Sequence, residues 1–341
     1  MGRGLASRPD DRMLGQAFPE FSASELDEAR RMNRGLMYMP RFRAPSLLSR
    51  MMIQTMLRTS QALAPLGVRG VSPSMRRIDW KGQSIGLRIL KANGPARGVY
   101  LDFHGGGWVI GNAAMDDRVN ARIAKDCGLV VVSVDYAMLP DIQLPEMIEQ
   151  CAAAGDWLFE HGEAEFGVSD IFIGGESAGA HLAACTLLRL RDTRSDFHRL
   201  KGAVLFYGPY DLSCTPSVRS AQRDTLVLHG PAMTGGMAGL LPGKSEDERK
   251  DPAVSPLYAD LHGLPPGLLL CGMLDPLIDD SRMLAERWQA ANGNVQLAIV
   301  PEAPHAFNRL FTRVATRTNA FVRNWIDARL AASHVAQAAA E

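Results

Sequence analysis

From residue 75 onward, short apolar runs alternate with segments of helical periodicity, and this alternation constrains the fold more than any other feature of the chain. Runs at 98–103, 129–134, 171–174, 203–207, 267–271 and 295–300 read as strands. Periodic segments near 116–126, 146–161, 178–191 and 281–292 read as the helices between them, with a last helix over about 316–330. Strands that are apolar throughout are those buried on both faces. The pattern therefore predicts an α/β fold with a mostly parallel central sheet flanked by helices. Two more strands, at 75–80 and 84–90, read as an antiparallel pair followed by the turn dipeptide Asn93-Gly94.

Composition narrows the function classes. The 341 residues are 46% hydrophobic and 22% charged, enough to bury a large core and unlike a disordered chain, a collagen or a coiled-coil rod. Basic and acidic residues number 37 each, so the basic excess of a nucleic-acid binder is missing. No apolar run approaches the ~18 residues of a membrane span. The five scattered cysteines form no CxxC pair or Cys/His cluster, so neither a disulfide framework nor a metal site is expected. Residues 1–20 lack the apolar stretch of a secretory signal, which makes the cytoplasm the expected compartment.

The first 80 residues differ in texture, with 13 Lys+Arg against 7 Asp+Glu and 9 of the 16 methionines. Ser24 with Asp27 has the spacing of a capping box and opens a helix through Met37. A second helix over 46–63 places Leu47, Leu48, Met51, Met52, Thr55 and Met56 at helical spacing. Both are expected to pack on the body, as a methionine-lined lid would too. The positive charge is expected on a solvated face, without the large contiguous apolar surface that a lipid interface needs. The stretch 208–265 has no strong strand, and a structureless loop of that length would be unusual, so an inserted helical piece is expected. The organisation that follows is an N-terminal helical part of a cap (1–74), a first core part (75–207), a cap insertion (208–265) and a second core part (266–341).

Polar residues punctuate the carboxyl ends of the strands, where open α/β sheets bind ligands. Gly175-Glu176-Ser177-Ala178-Gly179 follows one strand and opens a helix of small residues. The glycines allow a sharp turn that lifts a Ser nucleophile above the sheet. His104-Gly105-Gly106-Gly107 follows another strand and offers backbone N–H groups that, with the N–H of Ala178, can hold an oxyanion. Serine needs a base, and that base an orienting acid. Of eight histidines, His305 alone, apart from His104 of the glycine loop, stands at a strand's exit. His181 is expected to pack into the body and His104 to bond within its loop. His161, His198, His229, His262 and His334 lie in polar or connecting contexts. Asp275 follows the penultimate strand, whereas Asp279 and Asp280 suit the start of the next helix, where acids are stabilised anyway.

The segments Phe103-His-Gly-Gly-Gly-Trp108, Gly175-Glu-Ser-Ala-Gly179, Asp251-Pro252, Ser255-Pro256-Leu257, Asp275-Pro-Leu277 and His305-Ala-Phe307 together resemble the hormone-sensitive-lipase-like family of α/β-hydrolase carboxylesterases, over roughly residues 98–307. The chain departs from the family in Ala137, where Arg usually follows Tyr136, in Glu176, where Asp is commoner, and in Ala306, where Gly is commoner. The resemblance implies an α/β-hydrolase fold with a two-part helical cap, short-chain acyl preference and frequent homodimers. It also implies Gly106, Gly107 and Ala178 as oxyanion donors, with Gly105 shaping the loop or sharing the role.

The expected function is hydrolysis of a small acyl ester by Ser177, His305 and Asp275, with no cofactor and no metal. Trp108, Met37, Met51 and Met56 are the candidates for the pocket lining. Two alternatives stand beside it. One is an arylformamidase or amidase using the same three residues. The other is a non-catalytic receptor on the same scaffold, a type that usually loses part of the triad.

Overall fold

The computed structural model describes residues 18–43, 45–63 and 66–338, so the reading of residues 1–20 falls almost wholly outside it. Two helices precede the sheet, α1 (Ala23–Leu36) and α2 (Leu47–Leu63). The cap of α1 is Ser22, not Ser24: Glu25 reaches back to the Ser22 N–H at 2.8 Å, closing the box two residues earlier than expected.

The strands are β1 (Val71–Trp80), β2 (Gln83–Ala92), β3 (Gly98–Phe103), β4 (Leu129–Asp135), β5 (Ile171–Glu176), β6 (Leu200–Phe206), β7 (Gly267–Gly272) and β8 (Val295–Val300). They form one sheet in the order β1-β2-β4-β3-β5-β6-β7-β8. The first two pairings, β1 with β2 and β2 with β4, are antiparallel, and every other pairing is parallel. Strand β6 starts earlier than its apolar run because Gly202 interrupts the run. A Cβ there would meet the Trp325 ring at 2.8 Å, so the gap in apolarity is a packing requirement.

The period-two geometry of a strand explains why both faces are apolar. In β3 and β4, Val99, Leu101, Phe103, Val130, Val132 and Val134 face one core, while Tyr100, Leu129 and Val131 face the other. The first face is covered by α4 (Leu144–Phe166), α5 (Ala178–Thr193) and α8 (Ile278–Asn292). The second is covered by α3 (Asp117–Cys127) and α9 (Arg313–Ala338), with Ala29 of α1 joining it. No helix among the described residues is long and apolar enough to cross a membrane.

Only two α-helical pieces, α6 (Pro216–Arg219) and α7 (Gly230–Gly239), occur between residues 208 and 265. Much of the remainder is turn, held by polar nodes in place of a ladder. Ser255 Oγ accepts from Leu212 N at 2.9 Å, and Arg249 Nε donates to Leu212 O at 3.1 Å. This stretch clasps the N-terminal segment: Phe42 N donates to Val227 O at 2.6 Å and His229 N to Phe42 O at 2.9 Å. The central node is Asp280 in the first turn of α8, fully buried, accepting from Tyr210 N (2.7 Å), Asp211 N (3.0 Å) and Thr215 Oγ1 (2.6 Å).

Burial pushes the Asp280 carboxyl up to about 7, against the pull of those three donors. The folded chain therefore holds this proton more tightly than the unfolded chain, where a carboxyl titrates near ~3.9. Its contribution to stability is full below the unfolded value and is lost as pH rises toward 7. Asp280→Asn copies the protonated form: one oxygen for the two amides and an NH2 for Thr215. Urea unfolding at about pH 4 and about pH 8 should show the wild type losing more stability between the two than the variant. Parallel profiles would remove Asp280 from the account.

Candidate active site

The parallel strands end at one edge, and the polar residues singled out from the sequence meet there. Between β5 and α5 the chain turns on Ser177, a non-glycine residue at φ 54°. Such a backbone costs roughly 1–2 kcal/mol and has to be held in place. Ser177 N donates to Phe206 O at 2.9 Å, and the flanks permit no side chain: a Cβ on Gly175 would lie 2.6 Å from the Gly179 carbonyl carbon.

His305 follows β8 and Asp275 follows β7. His305 Nε2 lies 2.9 Å from Ser177 Oγ, and its Nδ1 lies 2.8 Å from Asp275 Oδ2. The other carboxylate oxygen of Asp275 accepts from Leu277 N at 2.9 Å, so both oxygens are engaged and the ring is held on one side. Asp275 and His305 are buried. The Tyr207 ring packs 4.6 Å from the imidazole, centroid to centroid, and closes its other face. Ala306, next in sequence, is left-handed at φ 59°, a conformation that explains why glycine would be the commoner choice there.

The loop after β3 lies against the same turn. Gly106 (φ 122°) and Gly107 (φ 61°) both need positive φ, and a Cβ on Gly107 would meet the Phe42 ring at 2.8 Å. His104 bonds within this loop, its Nδ1 2.8 Å from Gly105 O, under the stacked ring of Tyr136. Burial pushes His104 down to about 4, which keeps it neutral and structural. His181 is buried against Val254 O at 2.7 Å and is likewise pushed down to about 4 by burial.

A cavity of about 640 Å³ opens over Ser177, with Gly105, Gly106, Gly107 and Trp108 on one wall and Leu228, Met233 and Met237 on another. Trp108 lines it as expected, fixed by its indole N–H, which donates to His181 Nδ1 at 3.3 Å. Met37, Met51 and Met56 do not. All three are exposed, because their helical segments turn a different face inward, and the methionines on the wall are Met115, Met233 and Met237. His229, in a connecting context in the sequence, borders the cavity at the start of α7.

The sequence reading missed a buried charge cluster beneath the turn. Arg309 Nε lies 2.6 Å from Glu176 Oε2 and the same guanidinium pairs with Asp116. Glu176 also accepts from Tyr207 OH at 2.9 Å and from Asn308 Nδ2 at 2.5 Å. Burial pushes the Glu176 carboxyl up to about 7, while the Asn308 and Tyr207 bonds act the other way. The signal for Arg309 was only its place four residues after His305 on the same strand exit. Removing a partner from a buried ion pair leaves charge uncompensated, at a cost of about 3–5 kcal/mol. Arg309→Leu should therefore lower the urea midpoint strongly, and Glu176→Gln in the same background should restore part of it.

Residues 100–309 match the family described as alpha/beta hydrolase fold. An acetyl esterase of Salmonella schwarzengrund (strain CVM19633) is 29% identical over 229 residues, 64% of this chain and 68% of that protein. The match spans about two thirds of the length of such acetyl esterases. Among solved structures, a bacterial heroin esterase superposes with a TM-score of 0.78 at 28% identity, covering 92% of this chain and 99% of its own. An esterase from the bacterial hormone-sensitive lipase family superposes at 0.73 and 26% identity, covering 91% and 100%.

Proposed function

We propose, for a chain that belongs to the α/β-hydrolase family in its hormone-sensitive-lipase-like branch and is a carboxylic-ester hydrolase, that Ser177 is the nucleophile, His305 the general base and Asp275 its orienting acid, acting on short- to medium-chain acyl esters. The observation that carries this reading is the unbroken hydrogen-bonded chain from Asp275 through His305 to Ser177, ending in an open apolar cavity.

Ser177 Oγ attacks the ester carbonyl carbon as His305 Nε2 takes its proton, and Asp275 stabilises the imidazolium that forms. The carbonyl oxygen becomes an oxyanion, held by the amides of Gly106, Gly107 and Ala178 with Gly105 shaping the loop. The C–O bond to the leaving alcohol breaks as His305 returns the proton to that oxygen. Water then attacks the acyl-Ser177 ester with His305 again as base, releasing the acid and restoring Ser177. Every proton is moved by the chain's own groups, and no cofactor enters. Residues 1–74 and 208–265 act together as the cap, a reading supported by the Phe42 clasp to Val227 and His229. The reaction belongs in the cytoplasm, where the five buried cysteines stay reduced.

The test is turnover of p-nitrophenyl esters from acetate to palmitate, with an aryl amide for comparison. The wild type should be fastest on the short and medium chains. A folded Ser177→Ala variant should lose at least about 10⁴-fold in kcat/KM. Gly106→Ala, whose Cβ would fall on the Ile110 carbonyl, should lose about 10²–10³-fold in kcat through displaced oxyanion donors. No turnover by well-folded wild type on any chain length would sink the reading, and faster amide than ester cleavage would move it to an amidase.

A further inference from the structure

Helix α2 is mounted with its polar side inward. Its body-facing residues are Arg50, Ile53, Gln54, Leu57 and Gln61, and the three polar ones are bonded to loops at the sheet edge. Arg50 Nε donates to Val109 O at 3.0 Å and its guanidinium pairs with Asp141 at 2.6 Å. Gln54 brackets Gly111, donating to its carbonyl at 2.9 Å and accepting from its N–H at 2.8 Å. Gln61 Oε1 accepts from Asn112 Nδ2 at 2.7 Å. Most of the apolar residues point the other way. Leu47, Leu48, Met51, Met52 and Met56 all lie on the outer face, Leu48 and Met52 being 69% and 66% exposed. Thr55 and Thr59 on the same face turn their hydroxyls back to the Met51 and Thr55 carbonyls, so even these residues offer no free donor. The outward face is the contiguous apolar surface that the sequence reading expected to be absent.

Its setting is cationic. Residues 29–78 contain ten arginines and no aspartate or glutamate; of these Arg30, Arg50 and Arg76 are paired with carboxylates from elsewhere in the chain. Arg43 and Arg58, before and within α2, are exposed. Leu47 and Arg50 at the start of the helix border the cavity over Ser177, so the face adjoins the mouth of the site. An outward apolar stripe within a stretch of one charge sign is the signature of a helix that lies in a lipid–water interface. Anionic headgroups attract arginine, and acyl chains receive leucine and methionine.

We propose that α2 is a docking surface for an anionic lipid interface, which holds the cavity mouth against the surface where acyl esters collect. The partner is the negatively charged bilayer face itself, with Leu48, Met51, Met52 and Met56 inserted at headgroup depth, Leu47 at the cavity rim, and Arg43 and Arg58 toward the headgroups.

Vesicle co-sedimentation of the full-length protein tests this without reading turnover, so its failure is distinct from failure of the esterase reading. The probes are vesicles of phosphatidylglycerol mixed with phosphatidylcholine, and of phosphatidylcholine alone. The wild type should sediment with the anionic vesicles, more at low salt than at high salt, and much less with the neutral ones. Leu48→Glu/Met52→Glu should lower that partition by roughly tenfold or more, while turnover of a soluble short-chain ester stays at the wild-type level. No sedimentation of wild type with anionic vesicles at low salt, or sedimentation that the double variant leaves unchanged, would overturn the proposal. So would a wild-type dimer that the double variant makes monomeric without vesicle binding, which would give the face to a second copy of this chain.

Discussion

Ser177 holds a backbone conformation that an L-residue avoids, and much of this molecule is arranged so that it cannot relax. The strand before it and the helix after it leave no room on either flank, since Gly175 and Gly179 pack onto each other and onto the Phe103 carbonyl. The strain is small beside the burial energy of an eight-stranded sheet, yet it determines where the hydroxyl stands. Because β7 and β8 run parallel to β5, their carboxyl ends deliver Asp275 and His305 to the same edge without further adjustment. Reach, not chemistry, selects which histidine can serve. His104 and His181 are close in the fold, but each is spent on a structural bond and held neutral by burial.

Beneath that turn two buried carboxylates, Asp116 and Glu176, share one partly exposed guanidinium. Such a cluster is poor as a source of stability and useful as a device for fixing position. Glu176 is the residue before Ser177, and Asn308 and Arg309 follow His305 by three and four positions. The cluster therefore ties the turn at Ser177 to the loop after His305, at the edge of the cavity that Glu176 and Arg309 help to line. A one-carbon difference between Asp and Glu at 176 matters in this setting, because both Glu176 oxygens are engaged by named partners.

What the sequence made legible and what it hid divide along a physical line. Buried parallel strands must be apolar throughout, so the sheet could be read in advance, as could the placing of Ser177, Asp275 and His305 at its strand exits. Periodicity cannot say which side of an amphipathic helix finds partners. That is why α2 was expected to bury its methionines, whereas Gln54 and Gln61 found loop groups to bond. Asp280 looked like an ordinary first-turn acid, and its three donors come from residues about 65–70 positions earlier in the chain. Arg309 was hidden for the same reason: its partners Asp116 and Glu176 come from far earlier in the chain, joined only by the fold.

The mounting of α2 also determines how its attachment responds to temperature. A helix docked by hydrogen bonds and an ion pair, with only Ile53 and Leu57 as partly buried apolar residues between them, covers less apolar area than a core helix, so lifting it off the body changes the heat capacity less. The core beneath gains its stability from buried hydrocarbon, which weakens on cooling. The two therefore follow different thermal laws within one chain. The attachment of α2 varies with temperature less steeply than the core does.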